Sequence, residues 1–241
     1  MSTVLLLARR ELASYLNTSW GYAVLFFVLV ADGLWFNLLA VTDQPRLSAE
    51  VLEMFFFGCG GMAMIAGVLL TMRGLAEERS AGTMVLLQTA PISDAQIVTG
   101  KFLGSLGFLT LITALTFYMP ALVELNGKVS WGQILSGYLG VILLGSVSLA
   151  VGLWGSAIGR NQLLSAILAG FLAGFLVISW YIARHTQPPL ADVFGYMAVF
   201  DRHFMSFVRG RINTESVVYY ISVIFFFLLW ATRVLQSRRQ S

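Results

Sequence analysis

Six apolar stretches, each close to the roughly 20 residues that a membrane-spanning helix needs, dominate the 241-residue sequence. The apolar residues run continuously and do not alternate with polar ones, which favours helices over a β-barrel. The spans are predicted at Gly21–Val41, Met54–Met72, Phe102–Val123, Ile134–Ile158, Leu163–Ala183 and Val217–Leu235. We therefore expect an all-α integral membrane protein with six transmembrane helices, forming one domain over residues 1–241.

The composition excludes the main soluble classes. Charged residues make up 11% of the chain and hydrophobic residues 58%, whereas soluble domains carry roughly 25% charged residues. Disordered chains have low hydrophobicity and high net charge, the opposite of this composition. A net charge of +3 spread over many loops predicts no nucleic-acid surface. Cys59 is the only cysteine, and His185 and His203 are the only histidines. An intramolecular disulfide is therefore impossible, and no metal site is expected.

An even number of spans places both termini on the same side of the membrane. Most of the 15 Lys and Arg residues lie on that side, and this excess predicts that the termini are cytoplasmic. The basic residues on the other side are Arg46, Lys128, Arg184, Arg202, Arg209 and Arg211.

The first 20 residues predict an amphipathic helix that lies along the membrane surface. Its apolar residues recur at helical spacing, and Arg9, Arg10 and Glu11 cluster opposite them. The apolar positions are Val4, Leu5, Ala8, Leu12, Tyr15 and Leu16.

Residues 185–216, on the far side, are also more than a plain connection. Leu190, Val193, Phe194, Met197 and Phe200 form a helix-like apolar stripe, which predicts an amphipathic or re-entrant helix. The polar residues among them are Asp192, Asp201, Arg202 and His203. The alternative is a short helix packed on the bundle with no role in substrate handling.

The 29-residue loop from Arg73 to Lys101 is the most informative polar segment, and a loop of this length usually has structure or function of its own. Arg73 and Glu77 are spaced to pair on one helix face. Gly82 and Thr83 suit the end of that helix and the start of the next, which Pro91 closes. Ser93 or Asp94 then caps a helix that leads into the third span. The pattern predicts a short membrane-parallel helix, Gly82 to roughly Thr89, on which a soluble partner can act.

The same loop resembles the signature of type-2 ABC transporter permeases. There an EER-x-x-GT turn, here Glu77-Glu78-Arg79-Ser80-Ala81-Gly82-Thr83, precedes a coupling helix and a P-[IV]-S-D…GK segment, here Pro91 to Lys101. Three further segments resemble the family in order: Arg9-Arg10-Glu11-Leu12 with Tyr15, Phe200-Asp201-Arg202-His203-Phe204 with Arg209-Gly210, and Tyr219-Tyr220 with Arg233-Val234-Leu235. The branch that it resembles most is the gliding-motility GldF-type permeases.

The resemblance implies a permease subunit of the bacterial inner membrane, moved by a cytoplasmic ATPase dimer that binds ATP and Mg. It also implies a second permease copy, and an outer-side accessory protein is one further partner. The coupling residues would be Arg73, Glu77, Glu78, Arg79, Gly82, Thr83, Leu86, Pro91 and Lys101. The outer segment would contribute Asp201, His203 and Arg209.

The sequence itself contains no phosphate-binding loop of the G-x-x-x-x-G-K-[ST] type. Thr99-Gly100-Lys101 resembles only the end of this motif, and Phe102 stands where the motif requires Ser or Thr. We therefore expect no enzyme activity in this chain, and nucleotide-driven work has to come from a partner.

Asp32 is the only acidic residue well inside a span, with Asn37 five residues later. A charged side chain at the bilayer centre costs on the order of 2.5–3.5 kcal/mol, so Asp32 should face protein or water. One interpretation is a proton or substrate contact in a central translocation path that carries Asp32 and Asn37. The other is a residue nearer the outer interface, or a neutral acid that bonds to a neighbouring helix.

Two other classes remain as alternatives. An intramembrane protease would use Ser105 with His185 or His203, but the predicted topology places the serine and the histidines on opposite sides, and a catalytic triad needs hydrogen-bond contact. An ion-gradient-driven secondary transporter would show polar groups in discontinuous spans, whereas these spans are smooth.

Overall fold

The computed structural model describes residues 3–40, 47–82 and 92–239, and every regular element in those ranges is helical. The first elements are α1 (Thr3–Asn17), α2 (Ser19–Trp35) with a π-helical turn at Phe36–Ala40, α3 (Ser48–Thr71) and α4 (Ala76–Ser80). They are followed by α5 (Asp94–Leu115), α6 (Tyr118–Asn126), α7 (Trp131–Ile158) and α8 (Gln162–His185). The last are α9 (Leu190–Met197), a π-helical turn at Val199–Phe204, α10 (Met205–Val208) and α11 (Thr214–Arg239).

The prediction of six spans is confirmed within the described ranges. The helical segments long and apolar enough to cross a membrane are Ser19–Leu38, Ser48–Ser80, Asp94–Leu125, Trp131–Ile158, Gln162–His185 and Thr214–Arg238. The second and third are longer than predicted, because hydropathy detects only the apolar part of a helix. Their backbones continue through polar residues until a cap or a turn ends them.

Helix α7 forms the centre of the bundle and is buried along most of its length. It contacts α3, α5, α8 and α11. Small residues allow the close approach to α3: a Cβ on Gly67 would lie 2.7 Å from the Cβ of Ser148. Short helix-to-helix distances of this kind are typical of membrane bundles, where packing replaces the hydrophobic effect.

Helix α1 packs against α5. A Cβ on Gly104 would lie 2.5 Å from the Cβ of Glu11, so the two helices touch at this point. Ala8 and Tyr15 are buried, whereas Leu5 and Leu16 are exposed although the sequence placed all four in one apolar stripe. The predicted helix is therefore present, and its location at the membrane surface stays a prediction.

Two faces of the bundle follow from these contacts. Glu11, in the first helix, binds Lys101, which also binds Glu78 of segment 72–82. Arg238, in the last helix, donates to the carbonyl of Ile158. We call this side the terminal face and the side that carries residues 127–130 and 186–213 the opposite face. On the opposite face the residues after Ala198 pack into the bundle, and Val199, Phe204, Phe207 and Val208 are fully buried.

Candidate functional site

The terminal face holds a bend in the chain between the end of α3 and the end of α4. We call this segment, residues 72–82, the elbow. The backbone N–H groups of Leu75 and Ala76 both donate to Ser156 Oγ at 2.9 Å. Ser156 in turn donates to the carbonyl of Met72 at 3.3 Å. Since Leu75 and Ala76 are fully buried, one hydroxyl on α7 satisfies two buried N–H groups and also donates to the carbonyl of Met72. The elbow is thereby fixed to the end of the central helix.

The first charged contact of the elbow is the predicted pair between Arg73 and Glu77. Arg73 Nε donates to Glu77 Oε2 at 3.0 Å, which confirms the i,i+4 spacing argument. The Arg73 guanidinium also lies over the Trp20 ring, 5.1 Å from its centroid. Both charged side chains are partly exposed, and a single pair of this kind contributes little stability. Its effect is to orient the first turn of α4 towards the start of α2.

Lys101 makes the central ionic contact of the site. Its Nζ lies 3.0 Å from Glu11 Oε2 and 2.8 Å from Glu78 Oε1, and its side chain is 9% exposed. The three groups come from α5, α1 and α4, which are far apart in sequence. Removing one member of a buried ion pair typically costs about 3–5 kcal/mol because the other charge is left without a partner. The lysine therefore holds three helices together at one point.

Tyr15 extends this contact into the bundle. Its hydroxyl donates to the carbonyl of Leu70 at 3.0 Å and lies 3.1 Å from Ser105 Oγ. Burial and the nearby Glu11 carboxylate raise the pKa of Tyr15, so the phenol stays a hydrogen-bond donor. A cavity of about 210 Å³ lies beside these residues, lined by α1, the start of α2, the elbow and Lys101.

Arg79 binds the end of α7. Its guanidinium donates to the carbonyls of Gly159 at 2.5 Å and Ala157 at 3.0 Å. Arg238, in the last turn of α11, donates to the carbonyl of Ile158 at 2.6 Å. The final carbonyls of a helix lack partners within the helix and carry partial negative charge. Two arginines from different elements therefore cap the same helix end.

Gly82 ends the described part of the elbow with a φ of +72°, the left-handed conformation that favours glycine. This agrees with its predicted role at the end of α4. Thr83, Leu86 and Pro91, and with them the predicted coupling helix, lie outside the described residues. The chain is described again from Ile92, and Ser93 caps α5: Gln96 N donates to Ser93 Oγ at 3.3 Å, and Ser93 N donates to Gln96 Oε1 at 3.0 Å. Of the two predicted caps, Ser93 is the one that acts.

The two residues of the predicted translocation path are not brought together. Asp32 is 2% exposed and lies 3.8 Å from Cys59 Sγ. Asn37, in the π-helical turn after α2, is on the exposed side. A five-residue spacing rotates the second side chain away from the first by more than a quarter turn, and the intervening π turn changes the register further.

The residues predicted for the outer segment do not form a common site either. His203 is buried, and its ring stacks on Tyr219 with centroids 4.0 Å apart. Its Nε2 donates to the carbonyl of Tyr196 at 3.1 Å, and burial lowers the pKa of the imidazole. Asp201 and Arg209 are exposed. Since Ser105 pairs with Tyr15 and His203 with Tyr196, the serine and this histidine have separate partners, which is inconsistent with the protease alternative.

An apolar groove of about 1090 Å³ opens between α2, α3 and α8 and reaches Asp201. No motif in the sequence indicated it, because its lining comes from apolar residues that also fit ordinary spans. These include Leu34, Phe57, Ile65, Gly170, Val177 and Phe200.

The helices and the terminal-face contacts define a multi-pass, all-helical membrane protein with a charged elbow built into the bundle. Residues 24–231 match the family described as "ABC-2 family transporter protein". Because this match covers most of the sequence, the chain belongs to the ABC-2 transporter family.

Two curated relatives are similar to the chain. It is 33% identical over 132 residues to the "Probable ABC transporter permease protein NosY" of Pseudomonas aeruginosa, which covers 52% of this chain and 46% of the relative. It is 27% identical over 229 residues to the protein of the same name from Stutzerimonas stutzeri, which covers 89% of this chain and 75% of the relative. The chain thus aligns with less than half of the first relative and three quarters of the second. The GldF-type branch expected from the motifs stays a prediction.

Proposed function

We propose that the chain is the permease subunit of an ABC-2 transporter and that a separate cytoplasmic ATPase drives it through residues 83–91. The observation that carries the proposal is the set of contacts made by the elbow. Two of its charged groups bind other parts of the bundle: Glu78 binds Lys101, and Arg79 binds the end of α7. Displacing the elbow must therefore displace α1, α5 and α7 with it.

This arrangement changes the role of the predicted coupling residues. Glu78 and Arg79 connect the elbow to the chain's own helices, and Glu77 pairs with Arg73 within the elbow. These residues therefore transmit a displacement that begins elsewhere. The partner's contact surface is then the segment between Gly82 and Ile92, where the sequence predicts the short helix with Thr83, Leu86 and Pro91. Rigid packed elements of this kind move as bodies when one of them is pushed.

Several parts of the proposal come from the family and the sequence pattern. ATP and Mg are bound by the partner, two copies of the chain form the transmembrane unit as a homodimer, and the protein lies in the bacterial inner membrane with its termini in the cytoplasm. The relatives' printed name, ABC transporter permease, supports the same subunit role. Export of an apolar molecule and force transmission to an outer-side accessory protein are both compatible with this subunit role.

The test is reconstitution of the full chain in phospholipid vesicles with the ATPase that co-purifies with it. The proposal expects that the chain changes the ATP hydrolysis rate of that partner and that ATP alone, without an ion gradient, changes the protease sensitivity of the chain. An ion-gradient-driven transporter would respond to a gradient in vesicles that contain only this chain. Such a response, together with an ATPase rate that the chain does not affect, would overturn the proposal.

A further inference from the structure

Four polar side chains from four different spans meet in the half of the bundle nearer the opposite face. Asp32 from α2 lies 3.8 Å from the Sγ of Cys59 in α3. That sulfur lies 4.0 Å from Oγ1 of Thr116, at the end of α5. Thr116 in turn lies 3.3 Å from the hydroxyl of Tyr138 in α7. Asp32, Cys59 and Thr116 are each at most 3% exposed, so the cluster is almost entirely shielded by protein.

Asp32 has no counter-ion in this cluster. The titratable groups that face it are the Cys59 thiol and the Tyr138 phenol, and among the described residues it takes part in none of the ion pairs. Its Oδ1 is also buried, and it has no hydrogen-bond partner among the described residues. A buried carboxylate without a compensating cation is unfavourable, whereas the protonated acid is neutral. The unpaired oxygen therefore points to a bound proton.

The hydrogen atoms of the cluster can be assigned from the distances. Thr116 Oγ1 donates to the carbonyl of Thr113 at 2.7 Å, so its hydroxyl hydrogen is already used. Thr116 can then only accept, from the Cys59 thiol or from Tyr138. A thiol has a single S–H donor. Cys59 can donate to Asp32 or to Thr116, but not to both at once.

We propose that Asp32 is an intramembrane proton-binding site and that the Cys59 thiol turns from Asp32 to Thr116 when the proton binds. The carboxylate forms an O–H bond with a proton taken from hydronium, which leaves as water. The S–H bond of Cys59 stays intact and only rotates about the Cβ–Sγ bond. A metal ion is the less suitable ligand, because the described residues contain no group of three His, Cys, Asp or Glu side chains that could hold one.

The consequence for the bundle is a contact between α2 and α3 that depends on protonation. With Asp32 ionised, a thiol-to-carboxylate hydrogen bond joins the two helices, and hydrogen bonds to charged acceptors are the stronger kind. With Asp32 neutral, the thiol hydrogen bonds to the third span. Proton binding thus favours one arrangement of α2 over the other, independently of any nucleotide.

The chain offers its own reporter for this change, because Cys59 is its only cysteine. The S–H stretching band of the full chain in phospholipid vesicles, without any partner, is recorded by infrared spectroscopy across pH. Subtracting the spectrum of a Cys59→Ala variant isolates the band. We expect one band at acidic pH that shifts to lower frequency as the pH rises, because a carboxylate withdraws the thiol hydrogen more strongly than a hydroxyl does.

Two variants separate the proposal from a permanently neutral acid. Asp32→Asn keeps the shape but does not titrate, so its band should stay at the acidic position at every pH. Thr116→Val removes the alternative acceptor, so its acidic band should move to the higher frequency of a thiol without a partner, while its alkaline band is unchanged.

A wild-type band that does not move over the pH range in which the amide bands are constant would overturn the proposal. So would an equal shift in Asp32→Asn, or a band that disappears without shifting, which would indicate that the thiol itself is deprotonated. If Asp32→Asn does not insert, the Thr116→Val spectrum still decides between these outcomes. Because no ATPase is present, these results are independent of the proposed permease function.

Discussion

The Nζ of Lys101 lies 2.8 Å from Oε1 of Glu78, and this contact joins the start of the third span to the helix that continues the second. Glu11 binds the same ammonium from the N-terminal helix. A lysine that is almost fully buried between two carboxylates keeps both of its partners only while both helices stay in place. The position of the elbow is therefore set by three helices and not by the loop alone.

Replacing Lys101 tests this arrangement most directly. Lys101→Met leaves Glu11 and Glu78 without their cation, and we expect a loss of about 3–5 kcal/mol in the free energy of unfolding, as for other broken buried pairs. Stimulation of the partner ATPase should fall at the same time. Thermal unfolding in detergent and ATP hydrolysis in vesicles measure the two effects.

The matched control is Lys128→Met, which removes an exposed lysine on the opposite face and should leave both readouts unchanged. The triple variant Glu11→Met, Glu78→Met, Lys101→Met removes all three charges and should recover most of the lost stability. A triple variant as unstable as Lys101→Met would show that the ionic contact is not the cause.

Ser156 and Ser148 allow a second comparison on a single helix. Both serines lie on α7 and are fully buried. Ser156 binds the elbow, whereas Ser148 Oγ has no partner among the described residues. Ser156→Ala removes the hydrogen-bond acceptor of the Leu75 and Ala76 N–H groups. Each buried group without a partner costs about 1–3 kcal/mol.

Thermal unfolding of the two alanine variants checks this prediction. Ser148→Ala should match the wild type, and Ser156→Ala should unfold at a lower temperature and couple less well to the ATPase. Equal melting temperatures for the two variants would contradict the role assigned to the Ser156 hydroxyl.

Arg79 provides a third test, because its planar guanidinium reaches two carbonyls at once. Lys has the same charge but cannot form this forked contact. We expect Arg79→Lys to lose part of the ATPase stimulation and Arg79→Met to lose most of it. Each hydrogen bond to a charged group contributes about 1.5–3 kcal/mol, so losing both should lower the free energy of unfolding by at most about twice that amount.

The exposed neighbour Arg160 serves as the control for this series. Arg160→Met removes a positive charge from the same face without removing the contacts to Gly159 and Ala157. If Arg160→Met reduced the stimulation as much as Arg79→Met, the surface charge and not the cap would be responsible.

The pH dependence of stability should report His203. Burial lowers the pKa of this imidazole in the folded protein, with Arg202 adding to the effect. On acidification below about 6.5, the unfolded chain binds a proton at this position before the folded chain does. The folded state therefore loses stability as the pH falls, by at most about 1.4 kcal/mol per pH unit for one proton.

Melting temperatures measured between neutral and mildly acidic pH check the sign. His203→Gln should flatten the acidic side of the curve, whatever its stability at neutral pH, and the exposed His185→Gln should not. A curve for His203→Gln with the wild-type slope would show that other groups take up the proton.

The sequence predicted the features that depend on local spacing. The spans, the Arg73–Glu77 pair, the cap at Ser93 and the turn at Gly82 all follow from residues within a few positions of one another. The contacts that define the site join distant positions: Lys101 and Glu11 are 90 residues apart, and Leu75 and Ser156 are 81 apart. A single serine among many in an apolar helix gives no signal that it receives two backbone N–H groups.

The contacts of the charged residues could not be predicted from the sequence, for a related reason. Arg79 stands in a polar loop motif, so its sequence context suggests a solvent-facing or partner-facing side chain. The helix end that it caps lies in a different span and becomes its neighbour only after folding. The apolar groove beside α8 was missed because its lining residues have the composition of any span.

The hydrogen bond from Arg238 to Ile158 has a practical consequence for anyone who labels this protein. Arg238 lies three residues before Ser241, and it shares a helix end with Arg79. A fluorophore or purification tag attached to the last turn of α11 would therefore disturb the helix end that Arg79 also binds. Attachment beside the exposed Lys128, on the opposite face, avoids these contacts.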